Sequence, residues 1–198
     1  LQIFNIETKQ KVKSHTNNEN IVFWKVVSDT TIGMVTEASV YHWSIADQSP
    51  PQKIFDRHAT LAGTQIINYR VSSDEEWMVL IGISGNSTNP TAFKVKGSMQ
   101  LYSRDRAVSQ PIEGHTAAFA EMKLEGHQNV TKLFTFAVRT ATGAKLHVVR
   151  IDHAAPDPPF VKKAVDVSKK HGIVYLVTKY GFIHLYDLES GACVYMNR

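Results

Sequence analysis

Three sets of side chains in this sequence have types and spacings suited to capturing a ligand. Gln2 and Phe4 lie two residues apart, on one face of an extended strand, and Lys9, Lys11 and Lys13 repeat that spacing beyond a turn near Glu7 and Thr8. An aromatic floor beside an alternating row of ammonium groups suits a short extended peptide with apolar and acidic side chains. The same residues also fit an exposed edge strand that carries lysines against aggregation, and composition alone favours that reading. In the second set, Trp77, Leu101, Arg106, Val108, Gln110 and Ile112, the residues from Leu101 to Ile112 run along a hairpin, and Val108, Gln110 and Ile112 alternate onto one face. On composition, Trp77 and Leu101 read as ordinary core. The third set is Gln65, Ile67 and Ile83, strand residues that also look like core when taken alone.

Catalytic signals are missing. His58 follows Asp56 closely, but His147, His153, His171 and His184 are scattered without a His-x-x-x-His spacing, and no Gly-x-Ser-x-Gly, phosphate loop or paired-carboxylate signature is present. The expectation is a non-enzyme with no metal and no cofactor. One cysteine, Cys193, excludes an intrachain disulfide framework and a Cys-rich zinc site, and leaves a reduced compartment, cytosol or nucleus, as the expectation. With 22 basic and 18 acidic residues the net charge is +4, mild for 198 residues and short of the basic excess of a nucleic-acid binder. No apolar run approaches the roughly 18 residues needed to cross a bilayer, and Leu1 to Phe4 carry neither a basic n-region nor a cleavage site. The expectation is therefore no membrane span and no secretory signal.

The elements that must hold these residues are strands. Short β-branched and aromatic runs separated by Gly, Asn, Asp, Ser and Pro clusters predict strands at Ile21 to Val27, Thr31 to Thr36, Ser39 to Ser44, Gln65 to Val71, Trp77 to Ser84, Ser98 to Ser103, Leu133 to Val138, Lys145 to Ile151, Ile173 to Thr178 and Phe182 to Leu188. Helical periodicity is nearly absent, so the fold class is all-β. Five segments superpose: Leu1 to Asn5, Val40 to Ser44, Met99 to Ser103, Leu146 to Arg150 and Ile183 to Asp187. Their starts lie 39, 59, 47 and 37 residues apart, which brackets the ~40 to 50 residues of a four-stranded propeller blade. The longest interval is explained by a polar insertion from Gly85 to Lys96 between two strands of one blade. About four to five blades are present, so the chain is expected to be part of a larger ring, since closure must leave no sheet edge open. Between Ile151 and Ile173, with Pro156, Pro158 and Pro159, then Lys162 to Val167, one strand of a blade has no good candidate.

The opening Leu-Gln-Ile-Phe-Asn-Ile-Glu of residues 1–7, Phe55-Asp56-Arg57-His58, Leu61-Ala62-Gly63, residues 65–70, the Ser-Gln-Pro-Ile-Glu-Gly-His of residues 109–115, Lys162 to Val167 and Thr178 to Glu189 closely resemble the N-terminal domain of the clathrin heavy chain. These matches span nearly the whole chain in the family's order. The resemblance implies a portion of a seven-bladed propeller over residues 1–198, beginning in about the second blade. It also implies a break between Val167 and Ser168, where the family has roughly fifteen further residues.

What the resemblance implies about function is adaptor binding in a vesicle coat. Positions matching Gln2, Phe4, Lys9 and Lys11 line the family's groove for the clathrin-box peptide, a leucine, an apolar residue, any residue, an apolar residue and an acid. Trp77, Leu101, Arg106, Val108, Gln110 and Ile112 match a cleft that takes an arrestin-type loop with several leucines. Gln65, Ile67 and Ile83 match part of a pocket for peptides with two tryptophans. The implied partners are adaptor proteins on the cytoplasmic face of coated pits and vesicles. Clathrin light chain and heavy-chain trimerisation would involve only regions outside this chain. The alternative of a propeller enzyme, such as a glycosidase or lactonase, would need a metal or carboxylate cluster near the axis, and no such motif is found.

Overall fold

In a computed structural model of the chain, the described residues are 1–85, 95–123, 130–139, 144–151, 173–177, 182–187 and 192–197. They form sixteen strands in five sheets, each joining strands that are consecutive in the chain. Strands β1 (Gln2–Asn5) and β2 (Gln10–Ser14) make a hairpin. Strands β3 (Ile21–Ser28), β4 (Thr31–Thr36), β5 (Ser39–Ser44) and β6 (Gln52–Asp56) make one four-stranded antiparallel sheet. Strands β7 (Gln65–Val71), β8 (Trp77–Gly85), β9 (Val95–Ser103) and β10 (Val108–Glu113) make another. Two three-stranded sheets follow: β11 (Thr116–Lys123), β12 (Val130–Arg139) and β13 (Ala144–Arg150), then β14 (Ile173–Val177), β15 (Ile183–Asp187) and β16 (Cys193–Asn197). This is the all-β meander architecture of propeller blades.

Every run expected from the sequence is a strand, within a residue or a few at its ends. In both four-stranded sheets the superposed repeat is the third strand, β5 or β9, and β13 is the third strand of its sheet. Strands β2, β6, β10, β11 and β16 are not among the expected runs; β6 and β10, the fourth strands, carry Gln52 and Lys53, or Pro111, at a sheet edge rather than continuous apolar runs. The insertion is narrower than expected: Gly85 pairs with Val95, so the ladder runs on through both ends. Residues 86–94 and 152–172, with the expected break after Val167, lie outside the described residues.

The chain divides into two compact units, Leu1–Ala117 with Ala137–Ala144, and Ala118–Phe136 with Lys145–Arg198. In the second unit, Phe119, Phe134, Phe136 and His147 form a run of ring contacts, with the Phe136 and His147 rings stacked 4.7 Å apart. The first unit holds the candidate residues. Its two four-stranded sheets meet through Val35, Val40 and Phe55 on one side and Ile66, Tyr69, Met78, Leu80 and Tyr102 on the other, with Leu61 from a 3₁₀ turn at Ala59–Leu61. Phe55 stacks on Tyr102 at 4.6 Å. Gly33 is required at this seam, because a Cβ there would stand 2.7 Å from the Tyr69 ring. The same ring carries its hydroxyl to His42 Nε2 at 2.8 Å.

Three hairpin loops place a residue other than glycine in the left-handed region: Lys9 (φ 56°), Glu75 (φ 57°) and Ala107 (φ 50°). Each lies at or one residue before the end of its loop, where the chain must turn back into the partner strand. An L residue there is strained by about 1–2 kcal/mol, part of which glycine would return through its freer unfolded chain. Ala107→Gly is therefore expected to raise stability by about 0.5–1 kcal/mol, read as a higher urea midpoint at unchanged slope.

Candidate peptide-binding surfaces

The β1–β2 hairpin brings together Gln2, Phe4 and Lys11. Cross-strand partners share a face of a sheet, and the register pairs Gln2 with Ser14, Ile3 with Lys13, Phe4 with Lys11 and Asn5 with Gln10, with a β-bulge at Val12. Gln2, Phe4 and Lys11 consequently lie on one exposed face, with Phe4 53% exposed. Lys9 is exposed in the loop, which Asn5 Oδ1 shapes by accepting hydrogen bonds from the Glu7 and Thr8 amides, both at 2.9 Å. Lys13 departs from the expected row. The bulge shifts it onto the opposite face, where it is only 7% exposed.

That opposite face packs on the β3–β6 sheet. Lys13 Nζ donates to the carbonyls of Ser44, Asp47 and Ser49 at 2.8, 2.7 and 2.8 Å and sits 5.1 Å from the Trp43 ring centroid. The Asp47 carboxylate accepts from the Ser49 amide at 2.8 Å and from the Ser49 hydroxyl, curling the loop so that its carbonyls converge. Those bonds from Ser49 hold the Asp47 carboxyl below the usual carboxylate range. Sequence spacing gave no sign of this cage, because a one-residue bulge leaves no mark in composition.

The second set also converges. The registers of β8, β9 and β10 align Trp77, Ser103 and Val108 in one row, Val79, Leu101 and Gln110 in the next, and Ile81, Met99 and Ile112 in a third. One sheet face thus has a buried apolar centre of Val79, Ile81, Met99 and Leu101, a half-buried Trp77 and Ile112, and an exposed edge of Val108 and Gln110. Arg106 is exposed in the β9–β10 loop, adjoining the Trp77–Ser103–Val108 row. The other face of this sheet packs on the β3–β6 sheet. There Gln100, fully buried and missed as a candidate, donates from Nε2 to the Asp56 carbonyl at 2.8 Å and to Ser109 Oγ at 2.7 Å. Its Oε1 accepts from the His58 amide at 2.8 Å. A signal existed, since Gln100 is in phase with Ser98 and Tyr102 on the core side of the alternation.

The third set lies at the far end of the β7–β8 ladder. Gln65 pairs with Ile83, and Ile67 occupies a bulge between Ile66 and Asn68. Gln65 is exposed and Ile67 is 39% exposed. Near them, Lys25 donates to Asn68 Oδ1 at 3.1 Å, and burial, then the Arg70 charge, lowers the Lys25 pKa. Among the described residues no group of three or more His, Cys, Asp or Glu is placed to hold a metal, and no helix is long and apolar enough to cross a membrane.

No family model matches the chain. Curated relatives do, over its whole length. It is 53% identical over 215 residues to a protein named "Clathrin heavy chain 2" from Homo sapiens. It is 51% identical over 216 residues to "Clathrin heavy chain" from Drosophila melanogaster, and 42% over 214 to "Probable clathrin heavy chain" from Schizosaccharomyces pombe. In sequence, the chain belongs throughout its length to the clathrin heavy chain family, of whose members it spans 12–13%.

Proposed function

We propose that this chain is part of a vesicle-coat propeller that gathers adaptor proteins by taking their short linear peptides onto blade surfaces. The observation that carries this reading is the outer face of β1–β2, where Phe4, Gln2 and Lys11 stand side by side and open to solvent. A clathrin-box peptide would lay its apolar residues on Phe4, meet the Gln2 amide with its backbone and turn its acid toward Lys11 and Lys9. The Trp77, Leu101, Arg106, Val108, Gln110 and Ile112 face would take an apolar loop, and Gln65, Ile67 and Ile83 part of a two-tryptophan peptide. Each contact is small, so affinity for one peptide is weak and avidity across a coat supplies the rest. The setting is the cytoplasmic face of coated pits and vesicles, with adaptors linking the domain to the membrane. The domain performs no catalysis in this reading.

The matches run over 214–218 residues against 198 here, which supports a family segment absent from this chain, placed in our reading after Val167. The reading is tested by titration calorimetry on the complete propeller. Lys9→Glu with Lys11→Glu is expected to weaken an acidic clathrin-box peptide by about 2 kcal/mol while sparing a leucine-rich loop peptide. Gln110→Met is expected to do the converse. Unchanged affinities, or loss of both peptides in both variants, would sink the proposal.

A further inference from the structure

Lys13 does not present its charge to the open side of the hairpin. Its ammonium has three carbonyl partners within 2.8 Å and an aromatic face, which matches its three donors. Two regular ladders compete with the observed one. Extending the Phe4–Lys11 pair without a bulge would set Ile3 opposite Val12 and turn Lys13 outward beside Gln2. Extending the Ile3–Lys13 pair would set Phe4 opposite Val12 and turn Lys11 inward. Only the bulge at Val12 lets Lys13 enter the cage while Lys11 stays beside Phe4.

We infer that Lys13 is a positioning residue for the β1–β2 outer face. Caged, it imposes the bulge, fastens the hairpin to the Ser44–Ser49 loop, and withholds a third ammonium from the side that meets the peptide. Acid recognition therefore rests on Lys9 and Lys11 alone. The inference builds on the peptide-binding reading of that face, but its structural half can be tested without any peptide.

The test uses the complete propeller with Lys13→Ala, and Lys13→Met as a variant that keeps the apolar stem. Amide hydrogen exchange across β1 and β2 is expected to speed up about tenfold or more in both, because three carbonyls lose their donor. Millimolar n-propylammonium, the part of the side chain that alanine lacks, should restore protection in Lys13→Ala, and tetramethylammonium should not. The clathrin-box peptide should bind several-fold more weakly to Lys13→Met, with the same dependence on salt as the parent, whereas Lys11→Met should flatten that dependence. Unchanged hairpin exchange, or no rescue by n-propylammonium, overturns the positioning role. A salt dependence flattened by Lys13→Met overturns the claim that its charge is withheld. If the parent binds no acidic peptide, the functional reading fails, while exchange and rescue still decide the role of Lys13.

Discussion

Replacing Gln100 with leucine is expected to lower the unfolding free energy by about 2–3 kcal/mol, because one buried amide serves three partners on two distant chain segments. Its partners are the Asp56 carbonyl at the end of β6, the His58 amide before the 3₁₀ turn, and Ser109 Oγ on β10. Leucine fills a similar volume, so the loss comes from stranded polar groups and not from a cavity. Gln100→Glu separates the contributions. A carboxylate still accepts from the His58 amide but cannot donate to the Asp56 carbonyl, so this variant should lie well below the parent at neutral pH and recover part of the gap on acidification. Urea denaturation of the three proteins measures both effects. A leucine variant within 0.5 kcal/mol of the parent, as an order-of-magnitude bound, would mean that solvent replaces the amide at little cost.

Stability is also expected to fall as pH drops from 6.5 toward 4. His42 is buried at the seam of the two four-stranded sheets, and burial, then the Arg104 charge, lowers its pKa from 6.5 to about 4, partly opposed by Glu75. A base whose pKa is lowered on folding binds its proton more readily when unfolded. The contribution of neutral His42 is therefore complete above about 6.5 and is lost progressively down to about 4. The shift corresponds to a loss of about 3 kcal/mol across that window. His42→Gln, which keeps a hydrogen-bonding partner for the Tyr69 hydroxyl, should flatten stability over the same range. Urea midpoints at half-unit pH steps would check this. A parent and variant with equal slopes between pH 4 and 6.5 would assign the acid sensitivity elsewhere.

What the sequence revealed follows from where each blade meets solvent. Three of the five superposed segments are third strands, and β5 and β9 among them repeat visibly because both of their faces are packed, as in β5, where Val40, His42 and Trp43 are all buried. Those five segments alone yielded the blade period. Edge strands such as β2 and β6 are wet on one side, and their Gln and Lys residues blur the alternation that marks a strand. The Trp77 face was legible because regular pairing carries alternation across three strands without interruption. The lysine row was not, since a bulge reverses parity at one residue and sends Lys11 and Lys13 to opposite sides. The Gln100 clasp depends on partners 42 and 44 residues away, a distance that local pattern cannot span.

The close approach of the Tyr69 ring to Gly33 ties the evolutionary fate of three positions together. A side chain at 33 demands a smaller neighbour at 69, and a smaller neighbour forfeits the hydroxyl on which His42 depends. Drift at 33 or 69 alone meets a barrier that concerted replacement avoids, so across homologues these two positions should covary, with 42 released where the hydroxyl is lost.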